Sequence, residues 1–196
     1  MHLGMIFFCF DAGYDMMSLP AKSGNAHRRG WKKEMKTIIH DLGDTYNARL
    51  TSKAERVIFA DGKYAPCQGC FGCWTATPAT CVLKDALQEA CRVLGTSDDL
   101  TVITANTYGG WSAPVKNLLD RSIGVSTPLS TYRGGQMHHT LRYGKKGTLR
   151  VIVYGDITAD ERETLTLMAE KNAVNMGYSE YAVDFCETAE EAGARV

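Results

Sequence analysis

The sequence predicts an α/β fold with a doubly wound parallel sheet. Two observations support this class: nearly continuous apolar or β-branched segments, and helix patterns that separate them. A strand covered on both faces of a parallel sheet is apolar at almost every position. Alternating strands and helices imply crossover connections that place helices on both faces. The length of 196 residues suits one domain, so one compact core is expected.

The strands are predicted first, because their composition is the most distinctive. Residues 100–105 (LTVITA) and 149–154 (LRVIVY) carry β-branched and apolar side chains along their length. Such segments are typical of central strands. We predict five strands, at residues 36–40, 56–60, 100–105, 149–154 and 180–185.

Three helices are predicted between the strands, from cap residues at their ends. Asp85 can cap the first, and Gly95 is expected to end it in a left-handed conformation. Pro114 is tolerated in the first turn of the second helix, where backbone amides have no intrahelical acceptor. Thr158 and Glu161 form a capping box for the third. The predicted helices are 85–94, 112–121 and 158–177.

Two connections depart from a regular α/β pattern. Residues 41–55 leave room for a short helix at most, so the first crossover is expected to be shortened. Residues 122–147 form a long insertion that is rich in Gly and Ser/Thr and contains His138 and His139. Adjacent histidines rarely bind one metal, and long insertions are usually functional or intermolecular. We therefore expect a structural or interface role for this insertion.

Composition excludes several classes of partner. The 22 basic and 22 acidic side chains balance to a net charge of zero, so there is no electrostatic case for nucleic-acid binding. The apolar run at residues 5–10 is too short to span a membrane. Seven cysteines, four of them within fifteen positions, do not resemble a secreted disulfide scaffold. We expect a cytoplasmic protein.

Residues 1–34 differ from the rest of the sequence. They contain four of the eight methionines, and residues 11–30 show no sustained periodicity. We expect residues 1–34 to be a non-native or disordered extension and residues 35–196 to form the domain, with Met35 as the natural start. The alternative is that residues 6–10 form the first strand.

A compact group of cysteines follows the second predicted strand. Residues 67–74 (CQGCFGCW) and a later cysteine give the spacing C-x2-C-x2-C-x7-C. Four thiolates this close together can hold an iron–sulfur cluster or zinc. The favoured interpretation is a tight loop that lines a pocket and binds no metal. The alternative ligand set is Cys67, Cys70, Cys73 and Cys81.

A second candidate site lies at the end of the third predicted strand. Residues 104–112 (TANTYGGWS) occupy the carboxyl end of a central strand, where open α/β sheets bind ligands. Paired glycines allow a flat ligand to approach the backbone, and two aromatic side chains offer ring faces. The candidate binding residues are Thr104, Asn106, Tyr108, Gly109, Gly110, Trp111 and Ser112.

Together these segments resemble the NAD(P)H-dependent FMN reductase group of flavodoxin-like flavoproteins. Residues 67–81 are similar to the cysteine loop of one branch, and residues 108–121 to the loop beside the flavin ring and its following helix. The resemblance runs from about residue 35 to 143. It implies a flavodoxin-like three-layer sandwich with a five-stranded parallel sheet in the order 2-1-3-4-5. It also implies a homodimer that completes each flavin site.

The resemblance implies an FMN-dependent NAD(P)H oxidoreductase that passes hydride through the flavin to a small acceptor such as a quinone. The flavin supplies the redox chemistry, and the protein supplies its position and electrostatics. A nicotinamide and a small-molecule acceptor are thus the expected partners. Two alternatives remain: a dimeric binding module that has lost tight FMN binding, and an electron-transfer protein with FMN and an iron–sulfur cluster.

The sequence departs from the group in the loop that should hold the FMN phosphate. The group commonly has hydroxyls and a cation there, whereas this loop has two carboxylates, Asp41 and Asp44. Gly43 and Thr45 are the remaining candidate phosphate donors. Carboxylates repel a phosphate dianion, so FMN is expected to bind less tightly than in the group.

Overall fold

The computed structural model describes residues 34–133 and 135–196. The predicted extension 1–34, apart from its last residue, and the alternative strand at 6–10 lie outside these residues. The described strands are β1 (Lys36–His40), β2 (Arg56–Phe59), β3 (Asp99–Ala105), β4 (Ser126–Arg133), β5 (Gln136–Leu141), β6 (Lys146–Tyr154) and β7 (Tyr178–Cys186). The described α-helices are α1 (Asn47–Thr51), α2 (Ala90–Gly95), α3 (Ala113–Asp120), α4 (Ala159–Met176) and α5 (Ala189–Ala194).

Five of these strands form one parallel sheet in the order β2-β1-β3-β6-β7. Numbered within the sheet alone, this is the predicted order 2-1-3-4-5. The central strand β3 buries Leu100, Val102 and Ile103 almost completely, as its apolar composition predicts. The chain leaves β1 toward β2 on one side and reaches β3 on the other, so β1 and β3 flank the topological switch point.

Helices cover both faces of the sheet and give three layers. Ile38 of β1 packs in the same cluster as Leu50 of α1 and Ala192 of α5. The neighbouring residue Ile39 points to the opposite face, where the helices α2, α3 and α4 pack. This alternation is the two-residue period of a strand. The fold is therefore the predicted flavodoxin-like α/β sandwich.

The second and third predicted helices are confirmed, because their ends depend on local interactions. Helix α4 begins after Thr158, whose hydroxyl accepts the amide of Glu161 while the Glu161 carboxylate accepts the amide of Thr158. It ends at Gly177, which has a left-handed φ of 88°. Ser112 precedes α3, and Pro114 lies in its first turn. The short crossover also forms as predicted, since α1 has five residues.

The first predicted helix is wrong at its start. Helix α2 begins at Ala90, and Asp85 instead accepts the amide of Leu87 and pairs with Arg121. The helix ends at Gly95, one residue beyond the predicted end, and Gly95 does not adopt the expected left-handed conformation. A Cβ at Gly95 would overlap the ring of Tyr143, so this glycine permits close packing.

The long insertion folds into a 3₁₀ turn (Ile123–Val125) and an antiparallel pair, β4 and β5, beside the main sheet. Its outer surface exposes large apolar side chains: Leu129, Tyr132 and Met137 are 69%, 76% and 66% exposed. Within the described part of the chain, no helix combines the length and the apolar character needed to cross a membrane.

Candidate functional site

The loop after β3 is a tight two-residue turn at the carboxyl edge of the sheet. The amide of Thr107 donates to the carbonyl of Gly110 at 3.2 Å, and the reverse hydrogen bond measures 3.0 Å. The central residues, Tyr108 and Gly109, have φ values of 51° and 73°. Positive φ at both central positions defines a type I′ turn. The turn therefore projects Tyr108 beyond the end of β3.

Tyr108 is held in an unfavourable conformation without being buried. A left-handed backbone costs a non-glycine residue about 1–2 kcal/mol, and the side chain is 93% exposed. No packing energy from the protein offsets that cost. Residues in such conformations cluster at functional sites. The exposed ring is thus available to stack on a flat ligand.

Asn106 and Gly109 lock the turn in place. The side chain of Asn106 accepts the amide of Gly109 at 3.1 Å and donates to the carbonyl of Asp156 at 2.8 Å. Gly109 is buried, and a Cβ there would lie 3.2 Å from the Cα of Glu161. Both residues therefore join the turn to the start of α4.

Asp41 joins the carboxyl ends of three strands. Its carboxylate accepts the amide of Ala105 at 3.0 Å, the phenol of Tyr154 at 3.0 Å and the hydroxyl of Thr104 at 3.4 Å. Burial, followed by the adjacent Asp41 charge, raises the pKa of Tyr154. The phenol therefore remains a proton donor to the carboxylate. The role of Asp41 is structural, which its position in the sequence did not indicate.

Two buried polar atoms near these strand ends have no partner among the described residues. They are the Ser112 hydroxyl oxygen and the Nδ1 atom of His40. Ser112 donates its backbone amide to the Thr104 hydroxyl at 3.0 Å, which positions its side chain at the start of α3. Buried polar groups are nearly always paired. The unpaired Ser112 hydroxyl is therefore a candidate contact for a ligand.

His40 itself is fixed on the other side of the sheet. Its Nε2 atom lies 2.9 Å from the side-chain oxygen of Asn47, and its ring stacks on Phe59 at 5.3 Å. Burial lowers the pKa of His40, so the neutral imidazole is favoured near pH 7. A neutral ring adds no positive charge to the loop that follows β1.

That loop offers little to a phosphate group. Gly43, whose φ is 112°, precedes a 3₁₀ turn. The carboxylate of Asp44 accepts a hydrogen bond from the side-chain amide of Asn47 at 2.6 Å. Thr45 lines a surface depression of about 280 Å³ with Tyr46, Arg49 and Glu190. Helix α1 is too short to provide a strong dipole. Arg49 and Glu190 both line this depression, and the loop itself carries Asp41 and Asp44, so the region has no excess of positive charge.

Trp111 and Tyr108 have opposite environments. Trp111 packs against the main core cluster, whereas Tyr108 points to solvent. The predicted residues 104–112 are thus contiguous in one loop, and Gly43 and Thr45 lie in the neighbouring loop after β1. The Tyr108 ring in this loop is open to solvent.

The four cysteines of the alternative metal site are not assembled. Cys70 is exposed and Cys73 is buried. In residues 34–133 and 135–196, no three His, Cys, Asp or Glu side chains are placed to hold a metal ion. Cys73 contacts Cys91 of α2 instead. The sequence did not indicate Cys91, because it occupies an ordinary core position of a helix.

The cysteine loop is anchored by a buried ion pair. Arg121 is 1% exposed; its guanidinium donates to both Asp85 oxygens at 2.7 and 2.8 Å and to the carbonyl of Ala65 at 2.7 Å. A bidentate pair of this kind fixes geometry as well as charge. Arg121 therefore has a structural role. The partner, Asp85, lies 36 positions away in the sequence.

Solved structures share this fold at low sequence identity. An FMN-dependent NADH-azoreductase from Bacillus anthracis, in complex with FMN, is 9% identical with a TM-score of 0.51, over 83% of this chain and 95% of that one. An azoreductase from another strain of Bacillus anthracis is 12% identical with a TM-score of 0.50, over 82% and 94%. No family model and no curated protein matches the sequence. At these identities the likeness shows the fold.

Proposed function

We propose that this protein is an FMN-dependent NAD(P)H oxidoreductase that passes hydride to a small acceptor such as a quinone. The observation that carries the proposal is the exposed Tyr108 ring, held in a strained turn at the switch point of a flavodoxin-like sheet. FMN, when bound, supplies the redox chemistry. The likeness to an azoreductase that binds FMN supports this proposal.

The loop after β3 fits the ring end of a flavin. Tyr108 offers an exposed face for stacking, and the Ser112 hydroxyl offers a buried hydrogen-bonding atom without a partner in the described chain. Thr104 orients Ser112, while Asn106 and Gly109 fix the turn. In this proposal, Gly110 and Trp111 complete the surface beside the ring.

The loop after β1 does not fit the phosphate end. At about 5 Å and an effective dielectric near 20, one carboxylate repels a unit charge by about 3 kcal/mol. Asp41 cannot turn away without losing its bonds to Ala105 and Tyr154. We therefore propose that the ring is bound and that the phosphate adds no affinity. Salt screening, the amide of Gly43 and the Thr45 hydroxyl would together offset this repulsion.

A second copy of the chain is proposed to complete the site. The β4–β5 pair exposes Leu129, Tyr132 and Met137, and Tyr132 lies opposite Met137 in the strand register. Exposed apolar side chains that lie together are typical of association surfaces. A homodimer formed through this pair would bury them. The nicotinamide and the acceptor would reach the flavin ring in turn from solvent.

The test is NADH or NADPH consumption with added FMN and a quinone, with and without the full-length protein. The proposal expects a rate well above that of free FMN. Tyr108→Asn should reduce that rate at least tenfold, and Tyr181→Asn, at a half-exposed tyrosine on β7, should not. A rate equal to that of free FMN, with no flavin bound, would instead favour the binding module.

A further inference from the structure

Two thiols from different elements meet beneath the cysteine loop. Cys73 of the loop packs in one cluster with Cys91 of α2, and the Cys91 thiol donates to the carbonyl of Arg121 at 3.2 Å. Both cysteines contact Gly124. A Cβ there would lie 2.8 Å from the Cys91 sulfur and 3.0 Å from the Cys73 Cβ. Gly124 thus leaves the space that the two cysteines fill.

The surroundings of Cys73 favour a thiolate. The neighbouring Cys91 thiol, the amide of Cys73 itself, the Arg142 charge and the amide of Gly124 lower the pKa of Cys73, and burial opposes them. Arg142 is held there by hydrogen bonds to the carbonyls of Gly124 at 3.2 Å and Ser126 at 3.5 Å. Amide donors and a nearby cation are the surroundings that make cysteines reactive.

The two thiols differ in access to solvent. Cys73 is 8% exposed, whereas Cys91 is completely buried. A small oxidant can therefore reach Cys73 first, and Cys91 is positioned to react with the product. Cys70 is more exposed than Cys73 but lies on the outer part of the loop. Cys70 is therefore the more accessible thiol, whereas Cys73 is the one that packs beside a second thiol.

We propose that Cys73 and Cys91 are a redox-active pair that closes to a disulfide when a peroxide oxidises Cys73. The Cys73 thiolate attacks a peroxide oxygen, the O–O bond breaks, and a sulfenic acid and one hydroxide or alkoxide form. The Cys91 sulfur then attacks the Cys73 sulfur, and water leaves after proton transfer. With hydrogen peroxide, two thiols and one peroxide yield one disulfide and two waters.

The disulfide would join the cysteine loop covalently to α2. Trp74, next to Cys73, donates its indole N–H to the carbonyl of Ile123 at 2.9 Å and packs on the His139 ring at 4.6 Å. Oxidation would thus restrain a loop that touches the β4–β5 pair. This proposal does not depend on flavin binding.

The experiment treats the reduced full-length protein with one equivalent of hydrogen peroxide, blocks the remaining thiols and maps the peptides by mass spectrometry. We expect a Cys73–Cys91 cross-link, a loss of two hydrogen atoms, and full reversal by dithiothreitol. The double variant Cys67→Ser/Cys70→Ser should form the same cross-link at the same rate. In Cys91→Ser, the reaction should stop at a Cys73 sulfenic acid that dimedone traps.

Two results would overturn the proposal. One is a product confined to Cys67 or Cys70 while Cys73 and Cys91 stay reduced. The other is a Cys73 sulfenic acid in the wild-type protein that never proceeds to the cross-link. Because Cys91→Ser can fail to fold, its circular dichroism is compared with that of the wild type. The Cys67→Ser/Cys70→Ser variant leaves the core unaltered, and absence of the Cys73–Cys91 cross-link in it would also overturn the proposal.

Discussion

Tyr108 occupies a position where a different residue would be more stable. Asparagine followed by glycine is the preferred pair for a type I′ turn, because asparagine tolerates the left-handed region. Here a tyrosine precedes Gly109 and is 93% exposed, so neither turn preference nor packing accounts for it. A role for the ring in ligand binding would explain the conflict.

Tyr108→Asn should therefore separate stability from function. We expect the free energy of unfolding to rise by about 0.5–1 kcal/mol, because part of the left-handed strain is relieved. We also expect flavin affinity to fall at least tenfold. Urea unfolding and flavin titration measure the two effects. Tyr108→Phe, which keeps the ring, should leave affinity within about threefold, and a loss in that variant would argue against stacking.

Cys73 provides a pH-dependent prediction. The neighbouring Cys91 thiol, together with the amide of Cys73, the Arg142 charge and the Gly124 amide, lowers the pKa of Cys73 to about 7, and burial opposes this shift. Alkylation of Cys73 by iodoacetamide should rise about tenfold between pH 6 and 8, following the thiolate fraction. Peptide mapping at each pH measures it. A midpoint at or above pH 8.5, the range of an ordinary cysteine, would contradict this assignment.

Single residues were only partly predictable from the sequence. The turn within residues 104–112 could be expected because paired glycines follow a central strand, and its role as a ligand site stays a prediction. The roles of Asp41 and Cys91 could not, because each depends on a partner far away in the sequence. The sequence shows Asp41 only as a charge that repels a phosphate, whereas the hydrogen bond from Tyr154, 113 positions away, shows that it also joins strand ends.

At the scale of elements, the Arg121–Asp85 ion pair connects the carboxyl end of α3 to the segment that precedes α2. Arg121→Met should lower the free energy of unfolding by about 3 kcal/mol, since it leaves the Asp85 carboxylate and the Ala65 carbonyl without their donor. Chemical denaturation measures the change. Lys116→Met removes an exposed pair with Asp120 and should cost under about 0.5 kcal/mol. Equal losses of unfolding free energy in the two variants would show that the Arg121–Asp85 pair stabilises the fold no more than an exposed pair does.

Elements with local determinants could be predicted, and the others could not. The capping box of α4 and the proline of α3 act within a few residues, so both helices were identified at nearly the correct ends. Helix α2 was misplaced because Asp85 binds Arg121 in the tertiary structure. The β4–β5 pair was expected as an insertion but not as strands, because its glycines and polar residues do not resemble a core strand.

For the whole molecule, buried Lys146 at the amino end of β6 makes stability depend on pH. Burial, partly offset by Asp98, lowers the pKa of Lys146 from 10.5 to about 8. Between pH 8 and 10.5 the unfolded chain binds more protons at this site, so its contribution to stability rises with pH there. Lys146 is 9% exposed, and its amine donates to the carbonyl of Leu94 at 2.7 Å.

The corresponding prediction compares wild type with Lys146→Met by urea unfolding at several pH values. The difference in unfolding free energy should move in favour of wild type as pH rises from 8 to 10. Subtracting the variant removes contributions from distant titrating groups, such as Cys73. A constant difference across this range would show that the amine keeps its usual pKa.

The order of the sheet was predictable because the buried strands and their crossovers allow few topologies. The ligand preference of the protein was harder to predict, because the carboxylates and the exposed aromatic ring lie on two neighbouring loops. Asp41 and Asp44 disfavour an anion beside β1, while Tyr108 favours a flat ring beside β3. These opposite preferences lead to a specific expectation for flavins with and without a phosphate.

The most direct measurement is a titration of the full-length protein with FMN and with riboflavin, followed by flavin absorbance and fluorescence. We predict saturable binding of both, with dissociation constants within about threefold of each other, and loss of both in Tyr108→Asn. Asp44→Asn should strengthen FMN binding while riboflavin binding stays unchanged. Failure of both flavins to bind, or binding that Tyr108→Asn leaves unaltered, would contradict the proposed flavin site.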